Sequence, residues 1–364
     1  MRRIDIIAGA RPNFMKIGPI IHAIHKHNDQ DENAKIDYRL IHTGQHYDKK
    51  MSDDFFDQLN IPKPDLNLGV GSGTAAYQTA HIMMNYEAAL KEWKPELCLV
   101  VGDVTSTMAC AITAKKEWIK VAHVEGGIRS GDEKMPEEIN RMVTDSITDY
   151  FFTTSQTAND NLKALGHHDD KIFFVGNTMI DSLQANLQRI IKPDFYDQAQ
   201  LESGKYIVMT LHRPSNVDAY ENLRNLLSII DQHVANHKVV FPMHPRTQKM
   251  FSQLNISYDN LYITGPLPYL QFIYLVKNAM GVVTDSGGIT EETTVMGIPC
   301  MTLRDSTERP ETVTEGTNVM VGTQPENIIP HLEALVAGQW KTGQVPALWD
   351  GKTSERIVEI ISKL

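Results

Sequence analysis

At 364 residues the chain is too long for one small hydrophobic core and suits two domains of ordinary size. With 41% hydrophobic and 22% charged residues it reads as a soluble globular protein, not a disordered one. A formal net charge of −10 with no compensating basic block argues against nucleic acid as a partner. Cys98, Cys110 and Cys300 lie far apart in apolar surroundings without metal or redox spacing, so buried free thiols in a reducing compartment are expected. Arg2 and Arg3 precede only a short apolar run that Asp5 interrupts, so no signal peptide is read. No apolar run approaches the ~18 residues of a membrane span. The expected compartment is the cytoplasm.

Apolar, β-branched runs then alternate with helical patterns along the chain. Strands are expected at 3–8, 37–43, 97–101, 119–124, 150–154 and 172–175, then at 205–211, 238–243, 260–264, 279–284 and 298–302. Helical stretches separate most of them, the βαβα order of parallel, doubly wound sheets. The reading is an α/β chain of two Rossmann-like domains. The first spans 1–176, with a C-terminal helix at 354–364 packing back on it, and the second spans 177–353. The break falls where VGNTMID (175–181) leads into a helix ending at Lys192-Pro193.

Open α/β sheets bind ligands beyond the carboxyl ends of their strands, and domain interfaces favour small-molecule sites. A cleft between the two domains is therefore expected. In AGARPNFMK (8–16), Gly9 makes a tight turn, while Arg11 suits a bidentate phosphate contact and Lys16 a point-charge contact. In VGDVTST (101–107), Asp103 is either a ligand group or the cap of the next helix. HVEGGIRSGD (123–132) sends Glu125 out of an apolar strand into two glycines, a poor place for a merely solvated acid. MPEEINR (135–141) puts Glu137 and Glu138 at a proline-initiated helix start, which also suits acids on dipole grounds alone.

TLHRPSN (210–216) presents His212 at a strand end, placed for proton transfer or diphosphate binding. TDSGGITEE (284–292) runs a strand into Ser286-Gly287 and a helix, whose N-terminal N–H groups and dipole offer a diphosphate site. Glu292, one turn on, is placed to accept both hydroxyls of a ribose, and Arg309 in LRDSTERPE (303–311) supplies a cation. Gly-Lys-Thr at 351–353 is not a P-loop, because Pro346 stands where the upstream glycine belongs, and GVGSG (69–73) lacks the third glycine of a dinucleotide fingerprint. His22, His25 and His27 have no acid or cysteine at ligand spacing. No metal and no cofactor is implied.

The ordered set GARPNFMK, GDVTST, HVEGGIRSGD, PEEINR, GNTMID, LHRPSN, TDSGGITEE, RDSTERPE and SERI covers nearly the whole chain. It resembles the non-hydrolysing UDP-N-acetylglucosamine 2-epimerases, which have the two-Rossmann-domain GT-B fold. The resemblance implies a UDP-sugar substrate and interconversion of UDP-GlcNAc and UDP-ManNAc, by elimination of UDP to 2-acetamidoglucal and re-addition. It assigns Asp103, Glu125 and Glu137 as acids, His212 as their partner from the second domain, and Arg11 and Lys16 to the first-domain side. Phe272 would lie near the uracil, Ser286 and Gly287 at the diphosphate, Glu292 at the ribose, and Arg309 would complete the pocket. Which acid takes the C2 proton stays open.

Two departures stand out. Asn13 replaces the glutamate many members carry after the first Arg-Pro, and relatives acting on 2,3-diacetamido uronic acid sugars have a similar amide there. Gln45-His46-Tyr47-Asp48 replaces the Gln-His-Arg pattern of members with an allosteric UDP-GlcNAc site. The expectation is a cytoplasmic homodimeric epimerase serving surface polysaccharide synthesis. Its rivals are a diacetamido uronic acid epimerase, a GT-B glycosyltransferase and a silent nucleotide-sugar sensor.

Overall fold

The computed structural model describes residues 2–32, 34–44, 60–243, 245–254 and 258–364. Main-chain contacts divide it into two units, residues 1–182 with 347–364, and residues 183–346. The first carries seven strands: β1 Arg2–Ala8, β2 Ile36–His42, β3 Leu66–Asn67, β4 Leu97–Val101, β5 Lys120–Val124, β6 Tyr150–Thr153 and β7 Ile172–Phe174. The second carries six: β8 Tyr206–Thr210, β9 Lys238–Pro242, β10 Leu261–Thr264, β11 Gly281–Thr284, β12 Cys300–Thr302 and β13 Asn318–Met320. Their orders are β3-β2-β1-β4-β5-β6-β7 and β10-β9-β8-β11-β12-β13. The strand pairings are parallel in both sheets, as in β1 against β2 and β4, or β11 against β8 and β12. Every run expected to be a strand contains one; the short β3 and β13 were not legible.

Parallel strands buried on both faces read as continuous apolar runs, and each side chain still chooses a face by the period of two. In the second sheet Ile207 and Met209 point into one core with Val239, Phe241 and Leu227. Tyr206 and Val208 point into the other, with Val240, Val282 and Cys300. The three cysteines are buried and free.

The chain end belongs to the first unit. Trp349 is buried and donates from Nε1 to Thr154 O at 3.0 Å. Asp181 accepts from Thr353 N at 3.1 Å and Ser354 N at 2.6 Å, so it holds the start of helix Thr353–Lys363, which packs on helix Arg11–Gln30. Gly176 permits this closure. Its φ is +101°, and a Cβ would lie 2.1 Å from Leu348 O. Among the described residues no helix is long and apolar enough to cross a membrane. His22, His25 and His27 each turn to a separate oxygen, of Asn60, Tyr38 and Ala34.

Candidate active site

All strands of a parallel sheet end on one edge, so the loops after β1, β4 and β5 meet there. Lys16, in helix Arg11–Gln30, reaches the buried Glu125 Oε2 at 2.8 Å, its own side chain being partly buried. Glu125 follows β5 at φ +69°, a left-handed conformation uncommon for a non-glycine residue and concentrated at functional sites. Its N–H holds it there by donating to Phe152 O at 2.9 Å. Gly102, at φ +67°, forms the floor: a Cβ would lie 3.1 Å from Lys16 Nζ, 3.7 Å from Asn13 Nδ2 and 3.9 Å from Glu125 Oε2.

Asn13 is 3% exposed and serves the scaffold. Its Oδ1 accepts from Ala10 N at 3.0 Å, and its Nδ2 donates to Val101 O at 2.9 Å, tying the β1 turn to the end of β4. A glutamate cannot make that second bond, since an ionised carboxylate has no proton to donate.

Asp103 is reached by Arg141 of helix Pro136–Ile147, through Nε at 3.1 Å and Nη2 at 2.5 Å. Arg141 also donates to Glu138 at 2.5 Å, and Glu138 accepts from Ser130 N at 3.0 Å. Burial pushes the Glu138 carboxyl up, but Ser130, Arg141 and Gly131 together hold it below the usual value. Glu137 is half-exposed on the same first turn, and its neighbour Glu138 is the one drawn into this network.

Beneath lies a buried pair that sequence reading missed. His123 puts Nδ1 on Asp145 Oδ1 and Nε2 on Gly102 O, both at 2.7 Å. Asp145 also accepts from Gly127 N at 3.1 Å and Arg129 at 2.6 Å. Burial raises its carboxyl, and His123 and Arg129 outweigh that and lower it. The only sequence signal was a histidine inside an apolar strand. Arg11 opens its helix, and its side chain lies outside the described residues, as do Gln45 to Asp48.

In the second unit the loops after β8, β11 and β12 gather around Asp285. Its carboxylate accepts from His212 N at 3.0 Å, Arg213 N at 2.9 Å and Asn216 Nδ2 at 3.0 Å, and meets His212 Nδ1 at 2.7 Å. Burial alone would raise Asp285; these donors, His212 first, hold it low. The half-exposed His212 ring is thereby fixed on Asp285, the residue before Ser286. Ser286 starts helix Gly287–Met296 without a side-chain cap, so that helix start keeps backbone N–H groups for an anion. Arg304 and Glu308 lie beside Gly287, at 3.7 and 3.8 Å from where its Cβ would be.

Glu292 is 3% exposed and accepts from Tyr269 Oη at 2.8 Å. Burial pushes its carboxyl up to about 8. Phe272 lies on the same helix as Tyr269, half-buried against the core. Arg309 is buried and donates from Nε to Glu291. Sequence reading named Arg309 but not Arg213, Arg304 or Asp285; the available signal was that these three lie within LHRPSN, LRDSTERPE and TDSGGITEE.

Residues 28–362 match the family model described as UDP-N-acetylglucosamine 2-epimerase. A UDP-N-acetylglucosamine 2-epimerase homolog of Methanococcus maripaludis is 41% identical over the full length of both chains. The UDP-2,3-diacetamido-2,3-dideoxy-D-glucuronate 2-epimerase of Pseudomonas aeruginosa is 36% identical, again over all of both chains. The crystal structure of the Methanocaldococcus jannaschii UDP-GlcNAc 2-epimerase, in complex with UDP-GlcNAc and UDP, superposes with a TM-score of 0.86 at 40% identity and full coverage of both chains. Motifs, two parallel sheets and matches along the whole chain agree: it belongs to the UDP-N-acetylglucosamine 2-epimerase family, a family of isomerases with the GT-B fold.

Proposed function

We propose that the chain interconverts UDP-GlcNAc and UDP-ManNAc. The observation that carries this reading is the strained Glu125 paired with Lys16, one loop from Asp103 on Arg141: two fixed carboxylates at one sheet edge. In the reaction the C1–O bond breaks with its electron pair leaving on UDP. The C2–H proton then passes to a carboxylate, and the C–H electrons form the C1=C2 bond of 2-acetamidoglucal. Return of a proton to the other face of C2 and of UDP to C1 completes the inversion. No oxidant or reductant is consumed, so no redox cofactor is called for.

The first domain, residues 1–176 with 354–364, is read as the sugar-handling half, and 177–353 as the UDP-binding half. Asp103, Glu125 and Glu137 are the candidates for C2 proton transfer, with His212 as the second half's proton or diphosphate group. Arg11 and Lys16 serve the anion, Ser286 and Gly287 the diphosphate, Glu292 the ribose and Phe272 the uracil. Arg309 completes the pocket by holding Glu291 next to Glu292. Developing charge on UDP is met by fixed N–H and cationic donors, which is where such sites gain most of their rate.

The reading includes a homodimer. Tyr77 and Met84 on helix Ala75–Glu92 and Ile139 and Met142 on helix Pro136–Ile147 are 40–63% exposed, and both helices pack on helix Thr105–Lys116 between them. A cluster of that kind on one layer suits a two-fold partner. The cytoplasm, where nucleotide sugars are made, is the proposed compartment, and surface polysaccharide synthesis the proposed use.

A second reading, epimerisation of a UDP-2,3-diacetamido uronic acid sugar, is favoured by Asn13 and by the Pseudomonas relative. Proton NMR with UDP-GlcNAc in D₂O, without metal or acceptor, tests both. UDP-ManNAc carrying deuterium at C2 supports the first reading. An unchanged spectrum overturns it, and turnover of the diacetamido substrate then supports the second.

A further inference from the structure

Glu308 stands where a ligand anion is wanted. Its carboxylate takes Nη1 and Nη2 of Arg304 at 2.8 Å each, and lies 3.8 Å from Arg213 Nη2. It also borders Gly287, the first residue of a ten-residue helix with no side-chain cap. Two guanidinium groups and the positive end of a helix dipole thus surround one carboxylate. The Arg304 and Glu308 side chains are only 5% and 10% exposed. A buried guanidinium needs an anion close by, and its planar fork fits a carboxylate or a phosphate equally well. Glu308 belongs to the connection between β12 and helix Pro310–Thr314, outside any strand or helix, so its side chain is able to turn away without breaking a backbone ladder.

We propose that Glu308 is an internal surrogate for the diphosphate, exchanging places with it on Arg304 and Arg213 when UDP binds. The proposal rests on reading the Ser286-Gly287 turn as the diphosphate site. Its consequence is that the nucleotide must displace a bidentate ion pair. Affinity for UDP is then lower than the cations alone would give, while Arg304 stays oriented throughout. Departure of UDP is met by the returning carboxylate, so neither guanidinium is left buried without an anion.

The test is titration calorimetry of the full chain with UDP and with uridine, for the wild type and Glu308→Gln. Removing the competing charge should tighten UDP binding by about tenfold, the scale of one charge-assisted contact, and leave uridine unchanged. Glu308→Asp, one methylene shorter and so drawn back from Arg304, should give a smaller gain of the same sign and serves if the glutamine variant folds poorly. In the double variant with Arg304→Gln the gain should vanish. Unchanged or weaker UDP binding by a folded Glu308→Gln protein overturns the exchange and leaves the diphosphate site standing, provided the wild type prefers UDP to uridine. Equal tightening of uridine also overturns it, because the gain would not pass through the phosphates. A wild type that binds uridine and UDP equally removes the diphosphate reading, and the proposal with it.

Discussion

Replacing Glu292 with glutamine should stabilise the chain while weakening its hold on UDP. Glu292 is 3% exposed, and burial first, then the charge of neighbouring Glu291, pushes its carboxyl up to about 8 against the opposing bond from Tyr269. Between the ordinary value of 4.5 and about 8, the folded chain holds a proton that the unfolded chain has released. Unfolding then releases that proton, so stability falls as pH rises, by at most about 1.4 kcal/mol per pH unit for one group. Over the whole window the ceiling is about 5 kcal/mol; above pH 8 the loss is complete and constant, and below pH 4.5 it is absent.

Glu311, which burial pushes up to about 7, adds a second falling slope that ends one pH unit earlier. Between pH 7 and 8 Glu292 therefore carries most of the fall. Scanning calorimetry separates the transitions of two units where a single melt would not. Glu292→Gln, neutral at every pH and still able to accept from Tyr269, should lose most of the slope between pH 7 and 8 and exceed the wild type by several kcal/mol at pH 8. Equal slopes in the two proteins would refute the reasoning. Titration with UDP completes the case: a ribose ligand stabilises less well as an amide, so affinity should fall as stability rises, a trade-off expected where a site stores strain.

Gly102→Ala places a methyl group 3.1 Å from Lys16 Nζ at a φ of +67°, so it should cost about 1–2 kcal/mol of stability and, by shifting the Lys16–Glu125 pair, about 100-fold in turnover. Unchanged melting and kinetics would remove Gly102 from the site. Asp103→Asn and Glu125→Gln should each abolish epimerisation yet leave the UDP dissociation constant within several-fold; full activity in both would sink the assignment of the acids. Asp145→Asn strips the buried partner of His123 and Arg129 and should lower stability by about 3–5 kcal/mol. Because the Asp145 carboxyl is lowered on folding, its contribution is present above pH 3.8 and lost as pH falls through the lowered value, so urea melts at pH 7 should show the largest difference.

The succession of strands and helices, and the strand-end loops that hold the candidate residues, were legible because both rest on patterns: apolar runs of strand length, glycine at strand ends, and polar groups in the loops beyond. What failed was pairing. Asp5 read as an interruption of an apolar run, yet it is an inside residue of β1, held by Arg39 at 2.9–3.0 Å and Tyr86 at 2.9 Å. Arg39 and Tyr86 stand 34 and 81 residues away. Periodicity has no term for such a bond. The same blindness hid His123–Asp145 and Arg141–Asp103, and it made Glu137 look equivalent to Glu138. Two adjacent acids on a helix point about 100° apart, and only the position of Arg141 three residues on tells which is drawn inward. Likewise nothing in the sequence shows that the Asn13 amide bridges two strand ends.

Around the two candidate sites some acids are matched to cations and others are not, and the contrast bears on which half is proposed to do the proton chemistry. In the first, Glu125 has Lys16, Asp103 and Glu138 share Arg141, and Asp145 has His123 and Arg129. Each carboxylate is thereby fixed by a basic partner, as suits a group that takes a proton from carbon. In the second, Glu292 faces a neutral tyrosine and Glu311 is raised by burial, while the cations Arg213 and Arg304 converge on Glu308 beside the helix start. Neutral acids suit hydroxyl groups and clustered cations suit a diphosphate. On the reading proposed above, this contrast suits carbon-acid chemistry in the first unit and nucleotide recognition in the second.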